Sequence, residues 1–201
     1  MRIMKKIDGI ISLVIGFLIG CFFIIVIKSI GFEVPFLFSF PFVFSLLSVL
    51  GMFFVSFVGK RFLIIYQAGK FVLVGALNTF VDFGVLNMLM MIFGIASGWP
   101  YSVFKGISFS CSVVNSYFWN KFWTFQKKDT GIAKAGEFGK FAVVAGTGFI
   151  LNVSIASFVV NAIGPQFGLS EELWGNVGAF VAVLCVFTWN FLGYKLIVFK
   201  K

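Results

Sequence analysis

The sequence contains no histidine and very few charges. Charged residues make up 11% of its 201 residues, whereas they make up roughly 25% of a soluble domain. The commonest general base and metal ligand is therefore missing, and no phosphate-binding glycine loop, catalytic carboxylate pair or Ser/Lys hydrolase pattern occurs. We expect neither an enzyme nor a cofactor or metal site. The three cysteines, Cys21, Cys111 and Cys185, lie singly in apolar runs, which indicates small apolar side chains rather than redox chemistry.

Apolar residues dominate what is present. Hydrophobic residues reach 60% of the chain, and the mean hydropathy is +1.06. Water cannot solvate such a chain, so the sequence predicts an all-α integral membrane protein that uses the bilayer as its solvent. The net charge of +9 would favour nucleic acid in a soluble protein, but no solvated basic segment or RNA-binding motif accompanies it. We interpret this charge as a topology signal and expect no nucleic-acid partner.

Six segments reach the roughly 20 apolar residues that a helix needs to cross the hydrocarbon layer. They are Ile7–Ile30, Phe36–Val58, Phe71–Phe93, Tyr101–Phe125, Phe141–Ile163 and Leu173–Phe199, the last with its core at Asn176–Leu192. The first run is longer than the core of a signal peptide and is interpreted as a retained helix. Within it, Gly16 and Gly20 have the spacing of a close-packing seam.

Basic residues lie almost entirely at one set of helix ends, the exceptions being Lys28 and Lys105. These residues are Arg2, Lys5, Lys6, Lys60, Arg61, Lys70, Lys121, Lys127, Lys128, Lys134, Lys140, Lys195, Lys200 and Lys201. The opposite loops carry Glu33, Glu171 and Glu172. Because positive charge marks the cytoplasmic side, we predict three hairpins with both chain ends in the cytoplasm.

The second and third predicted hairpins resemble each other in sequence. Their opening segments are Lys70–Gly75 and Lys140–Gly146, and their closing segments are Asn120–Phe125 and Tyr194–Phe199. Both hairpins enter and leave on the same side, which favours a parallel repeat. The alternative is that helical hairpins commonly share lysines at the membrane interface. The first hairpin lacks this pattern, so we predict an N-terminal two-helix hairpin at 1–66 and a four-helix domain at 67–201.

Two ionisable residues fall at predicted membrane depth. A rise of 1.5 Å per residue puts Asp82 about 18 Å along the third helix from Lys70, and Lys105 about 24 Å along the fourth from Lys121. The difference of about 6 Å is within reach of a lysine side chain, so we expect Asp82 and Lys105 to face each other. Such a pair either holds two helices together or takes part in substrate passage.

Asparagines form a second polar group in the apolar segments. They are Asn78, Asn87, Asn115, Asn120, Asn152, Asn161, Asn176 and Asn190. Most amides in lipid hydrogen-bond across helices. Those nearest the cytoplasmic ends lie beside Lys121, Trp123 and Lys195, and this combination suits a phosphate and a sugar at headgroup depth. Trp119 and Trp123 equally fit an interfacial aromatic belt.

The stretch from Lys70 to Lys201 resembles the GtrA-like family of small membrane proteins. The matching motifs are Lys70–Thr79 with Asp82, Asn115–Phe125, Lys140-Phe141 with Gly146, and Trp189-Asn190-Phe191 with Lys195 and Phe199. The family pattern often has Arg at the position of Lys121 and an Asn-Arg pair at the position of Tyr194-Lys195. The resemblance implies a four-helix core, so the first hairpin lies outside it.

The resemblance implies the translocation of a polyprenyl-phosphate-linked monosaccharide, such as undecaprenyl-phosphate glucose, from the inner to the outer leaflet of a bacterial plasma membrane. The implied partner is a membrane glycosyltransferase. We also expect contact with the surrounding lipids and, because four to six helices make a thin bundle, a homodimer that forms the path between protomers. The residues that we expect to bind phosphate or sugar are Lys70, Asn78, Asp82, Lys105, Asn115, Asn120, Lys121, Trp123, Lys140, Asn152, Asn190 and Lys195.

Two alternatives stay open on the sequence alone. One is an accessory subunit that anchors or positions a glycosyltransferase without moving lipid. The other is a proton-coupled transporter of the small-multidrug type, which needs an intramembrane carboxylate. Asp82 is the candidate for that carboxylate, and a neighbouring Lys105 would tend to keep it ionised.

Exchanging the two charges tests the predicted pair. The Asp82→Lys/Lys105→Asp double variant should accumulate in the membrane better than either single variant, because each single change leaves two like charges at depth. The measurement is the amount of folded, membrane-inserted protein for all three variants. A double variant that accumulates no better than the single variants would contradict the pair.

Overall fold

A computed structural model describes residues 4–59, 63–124 and 135–193, and every regular element in these ranges is helical. The six helices are α1 Lys6–Ser29, α2 Phe40–Val58, α3 Leu63–Phe93, α4 Gly98–Trp119, α5 Ala135–Ser157 and α6 Glu171–Gly193. A short 3₁₀ turn at Leu37–Ser39 precedes α2, and π-helical turns at Asn120–Thr124 and Phe158–Ile163 continue α4 and α5. Each predicted segment therefore overlaps one helix. The predicted ends of the fourth and sixth segments, at Phe125 and Phe199, lie outside the described residues.

The main difference from prediction lies at two helix starts. α3 begins at Leu63 and α5 at Ala135, earlier than the predicted Phe71 and Phe141. Hydropathy marks only the part of a helix that matches the hydrocarbon, whereas backbone hydrogen bonding continues the helix through polar residues such as Gln67. The apolar pattern therefore identified the helices but underestimated their lengths.

Within the described residues, four stretches are long and apolar enough to cross a membrane. They are Lys6–Ser29, Leu37–Val58, Ile65–Phe93 and Gly146–Ile163. The chain is therefore a multi-pass membrane protein. α4 and α6 have 22 and 23 residues, which is spanning length, but they are more polar. Their crossing, the arrangement in three hairpins and the orientation with both ends inside stay predictions.

The chain forms two compact units. The first comprises Met1–Gly84 with Val114–Lys127, and the second comprises Val85–Val113 with Lys128–Lys201. The division falls within α3 and within α4. The predicted domain boundary after residue 66 stays a prediction, because a division by contacts does not test where a sequence family begins.

In the first unit, α1 and α2 pack backbone to backbone through the two glycines of α1. A side-chain carbon at Gly16 would meet the Phe44 carbonyl and the Ser45 Cα, and one at Gly20 would meet Pro41. The Ser45 hydroxyl also donates a hydrogen bond to the carbonyl of Leu13 at 3.0 Å. The close-packing seam expected from the glycine spacing is therefore present, and it joins α1 to α2.

Phenylalanines join this helix pair to the first part of α3. The rings of Phe23, Phe44 and Phe80 lie with their centroids 5.6–6.2 Å apart. Further along, the ring of Phe22 lies directly against Gly84. Tilted and edge-to-face aromatic pairs at these separations add to the gain from close packing, so α1, α2 and the start of α3 form one packed group.

In the second unit, a buried tyrosine packs against the glycines of α6. The Tyr101 ring lies 3.3 Å from where a side-chain carbon of Gly175 would be. Its hydroxyl donates a hydrogen bond to the Gly175 carbonyl at 2.8 Å. The indole of Trp174 donates to the carbonyl of Val159 at 2.9 Å, within the π-helical turn. Small residues in α6 thus admit large amphipathic side chains whose polar ends are satisfied by backbone oxygens.

Filling the seam between α1 and α2 should destabilise the fold. Gly16→Ala places a methyl group against the backbone of α2, which cannot move aside like a flexible side chain. We expect a loss of about 1–3 kcal/mol in the free energy of unfolding, measured by titrating detergent-solubilised protein with SDS. Gly51→Ala is the matched control, because its added methyl meets nothing within 4 Å in the described part of the chain. Equal stability of the two variants would contradict the seam.

Candidate functional site

A buried carboxylate lies at the centre of the candidate site in the first unit. Asp8 is in the first turn of α1 and its side chain is completely buried. Tyr66 and Lys70 reach it from successive turns of α3, and Trp123 reaches it from the π-helical turn after α4. We call these four residues, Asp8, Tyr66, Lys70 and Trp123, the Asp8 cluster.

Three donors of different chemistry converge on this carboxylate. The Lys70 ammonium donates to Oδ1 at 2.6 Å and the Trp123 indole N–H donates to the same oxygen at 2.9 Å. The Tyr66 hydroxyl donates to Oδ2 at 2.7 Å. The Lys70 ammonium also lies 4.9 Å from the centre of the Tyr66 ring and 5.1 Å from that of the Trp123 ring, so both rings stabilise its charge.

Burial makes this arrangement costly unless every charge is paired. Lys70 is 3% exposed and Trp123 is 3% exposed. Moving two ions into an apolar region costs several kcal/mol each, and only short bonds with further donors offset that cost. The cluster meets this requirement with an ion pair, two neutral donors and two aromatic faces. Chemically, Tyr66, Lys70 and Trp123 form a site that binds one anionic group.

Trp123 is more than an interfacial aromatic. Its burial and its bond to Asp8 place the indole N–H inside the protein, which disfavours the aromatic-belt interpretation for this residue. Trp119, in contrast, is partly exposed and donates to the Asn115 side chain at 3.0 Å. Of the two tryptophans, only Trp123 belongs to the anion site.

A row of amides lies in the same unit as the cluster. The Asn115 amide donates to the Asn78 carbonyl oxygen at 2.6 Å, which joins α4 to α3. One turn further along, Asn120 donates to the Ser116 hydroxyl at 3.2 Å. Among the described residues, the Asn120 side-chain oxygen and the Thr124 hydroxyl are buried without a hydrogen-bond partner. These two groups are free to bond a ligand hydroxyl.

Asp82 and Lys105 are both buried, at 2% and 0% exposure. Asp82 belongs to the first unit and Lys105 to the second. Their mutual pairing and any role in binding stay predictions.

The second unit holds the remaining described amides. Asn87 and Asn176 exchange two hydrogen bonds at 2.6 and 2.7 Å, so this pair acts as packing between helices. Asn152 is 1% exposed, and within the described residues neither atom of its amide has a hydrogen-bond partner. Its neighbours Phe149 and Val153 line an open, mostly apolar groove of about 520 Å³ between α4 and α5.

Four predicted site residues cannot be placed by their side chains. Lys121, Lys140 and Asn190 lie on described helices, but their side chains are outside the described part of the structure. Lys195 lies outside the described residues altogether. Their roles in binding stay predictions.

Sequence reasoning missed Asp8 and Tyr66. Both lie before the stretch that carries the family motifs, and neither belongs to a recognisable pattern. The available signal was Asp8 itself, which is the only acidic residue before Glu33 and stands at the start of a long apolar run. An ionisable residue in that position warrants a search for its partner.

Comparison with known proteins bears on two members of the cluster. A family model described as the GtrA/DPMS transmembrane domain matches residues 70–199. The match includes Lys70 and Trp123 and begins after Asp8 and Tyr66. No curated protein and no solved structure matches the chain.

The charges of Asp8 and Lys70 should be energetically coupled. Asp8→Asn and Lys70→Gln each leave one buried ion unpaired, at an expected cost of about 3–5 kcal/mol in SDS unfolding, whereas the double variant should lose much less than the sum. Lys6→Gln, an exposed position on the same turn, is the control and should change stability little. Losses that add within about 0.5 kcal/mol would show that the two charges do not interact.

Proposed function

The chain belongs to the GtrA/DPMS transmembrane-domain family, and on this premise we propose that it moves a polyprenyl-phosphate-linked monosaccharide from the inner to the outer leaflet. The observation that carries the proposal is the convergence of Tyr66, Lys70 and Trp123 on one anionic group. Two of these three donors lie within the matched family region. A lipid phosphate offers the same negative charge and the same oxygen acceptors as the carboxylate that they bind here.

The location of the donors suits a headgroup. Lys70 lies near the beginning of the apolar stretch Ile65–Phe93, and Trp123 follows the end of α4. Groups at the end of an apolar stretch lie at the level of lipid phosphates rather than at mid-membrane. The basic residues predicted for the cytoplasmic side would further concentrate an anionic lipid there.

The amide row supports recognition of a sugar next to the phosphate. Asn120 and Thr124 carry buried polar atoms with no partner among the described residues, close in sequence to Trp123. Hydroxyl groups of a monosaccharide would satisfy these atoms, and bonds of this kind lower the cost of bringing a sugar into an apolar region.

The sequence offers no motif for nucleotide hydrolysis, so we propose that transport is driven by consumption of the sugar on the outer face. A membrane glycosyltransferase that makes the lipid-linked sugar would supply the substrate inside a bacterial plasma membrane. In this scheme the protein binds and moves the lipid without chemical conversion, and a homodimer would enclose the path.

A second function is favoured by one specific observation. Lys70 is buried and already paired with Asp8, so the anion site is filled from within the chain. A protein whose site is permanently filled would act as an accessory subunit that positions a glycosyltransferase. Such a subunit would not exchange lipid between leaflets.

A reconstituted vesicle assay separates the two functions. Vesicles containing the protein should bring undecaprenyl-phosphate glucose to the opposite leaflet faster than protein-free vesicles. Trp123→Phe keeps an aromatic ring but removes the N–H donor, and it should slow exchange about tenfold because a bond to a charged group is lost. Trp99→Phe, at a position 77% exposed, is the control and should leave the rate unchanged.

The accessory function predicts a different outcome in the same system. The vesicles would show no exchange above the protein-free rate, while the protein would still co-purify with its glycosyltransferase. That combination of results would exclude the proposed transport.

A further inference from the structure

Asp8 stands outside the region that defines the family, yet it fills a site built largely from family residues. The family match begins at Lys70, whereas the carboxylate comes from an N-terminal helix that precedes it. Resting on the proposed function, we propose that Asp8 is an intrachain occupant of the phosphate site, which α1 must release before the lipid phosphate binds. The N-terminal helix pair would then act as a built-in competitor of the substrate.

Simultaneous binding of both anions is excluded by charge and by space. Lys70 is the only cation bonded to Asp8 among the described residues, and both carboxylate oxygens are already engaged. A phosphate that reached the same donors would lie within bonding distance of the carboxylate, and two like charges in an apolar region repel strongly. Asp8 has no exposed surface through which a ligand could approach. Occupancy by carboxylate or by phosphate is therefore exclusive.

Release of Asp8 requires movement of only the first turn of α1. Gly9 follows Asp8 directly, and glycine weakens a helix relative to alanine. Lys5, at the N-cap position, makes no capping hydrogen bond with its side chain. Gly16 and Gly20 hold the rest of α1 against α2, two turns further on. The first turn is held mainly by the bonds of the Asp8 side chain and by the Ser12 hydroxyl, which donates to the Asp8 carbonyl at 2.7 Å. In the proposal, exchange of the carboxylate for a phosphate lets this turn unwind while the helix pair stays packed.

A purely structural role for Asp8 makes a different prediction about ligands. If the carboxylate only fastens α1 to α3, removing its charge lowers stability and leaves lipid affinity unchanged. If it competes with phosphate, removing its charge raises the fraction of protein that is open to the ligand, and the apparent affinity rises with that fraction. Affinity for a phosphate lipid therefore distinguishes the two roles, whereas stability alone does not.

The test measures binding of undecaprenyl phosphate to the full-length protein in lipid nanodiscs. Asp8→Asn keeps the size of the side chain and removes its charge, and it should tighten binding about tenfold. Glu33→Gln removes an exposed carboxylate in the loop after α1 and should leave the affinity unchanged. Undecaprenol, which has the same chain without the phosphate, should bind to Asp8→Asn and to the wild type with equal affinity.

A second variant tests the same competition without changing Asp8. Gly9→Ala keeps every contact of Asp8 and strengthens the first turn, and among the described residues the only atom close to the added methyl is the flexible end of Met4. Binding of undecaprenyl phosphate should weaken about fivefold. If Asp8→Asn fails to accumulate, the affinity of Gly9→Ala for undecaprenyl phosphate tests the competition by itself.

The outcomes separate this inference from the proposed function. If the wild type binds undecaprenyl phosphate and both variants bind it with the same affinity, the competition between Asp8 and phosphate is contradicted and the proposed function stands. The same conclusion follows if Asp8→Asn raises the affinity for undecaprenol equally. No binding of undecaprenyl phosphate by the wild type or by Asp8→Asn would overturn both. A tighter Asp8→Asn variant together with a weaker Gly9→Ala variant would support both.

Discussion

The buried ion pair between Asp8 and Lys70 is the interaction on which the first unit depends. Neither charge would be stable alone in an apolar helical bundle, because the free energy lost with its hydration exceeds the free energy gained from neutral neighbours. Their mutual attraction, with an indole N–H and a phenol hydroxyl as further donors, offsets the cost of burying both charges. The pair also connects helices that are far apart in sequence, so it fixes α1 against α3 and the turn after α4.

The composition of the Asp8 cluster favours a binding role over a purely structural one. Two helices that only need fastening can use apolar contacts, and the phenylalanines and glycines of α1 and α2 already supply these. The cluster instead gathers three donors on one anion, which is the chemistry that the proposed binding of a lipid phosphate requires. Lys70 and Trp123 both lie in the region that the GtrA/DPMS family model matches. The carboxylate that they hold is the nearest intrachain equivalent of a phosphate group.

Close packing explains how such a polar cluster is held in place without a water-filled core. Gly16 and Gly20 let α1 approach the backbone of α2, and the Phe23, Phe44 and Phe80 rings fill the space toward α3. Lipid tails are as apolar as these side chains, so the gain comes from van der Waals contact and not from exclusion of water. Among the described residues, Asn120 and Thr124 keep buried polar atoms with no hydrogen-bond partner. In the proposed function these atoms bond the sugar.

The sequence alone determined the helices and the class of protein. Backbone groups in a bilayer must bond within their own segment, so apolar length by itself specifies a helix, and each of the six predicted segments overlaps one among the described residues. Residue types also identified Lys70, Asn78, Asn115 and Trp123 as polar groups of interest, and the motifs around them identified the family. Residue types and motifs did not identify Asp8 and Tyr66. Asp8 bonds to Tyr66, 58 residues away along the chain, and to Trp123, 115 residues away. Local pattern decides whether a segment is helical, but only the packing of helices decides which buried charge finds which partner.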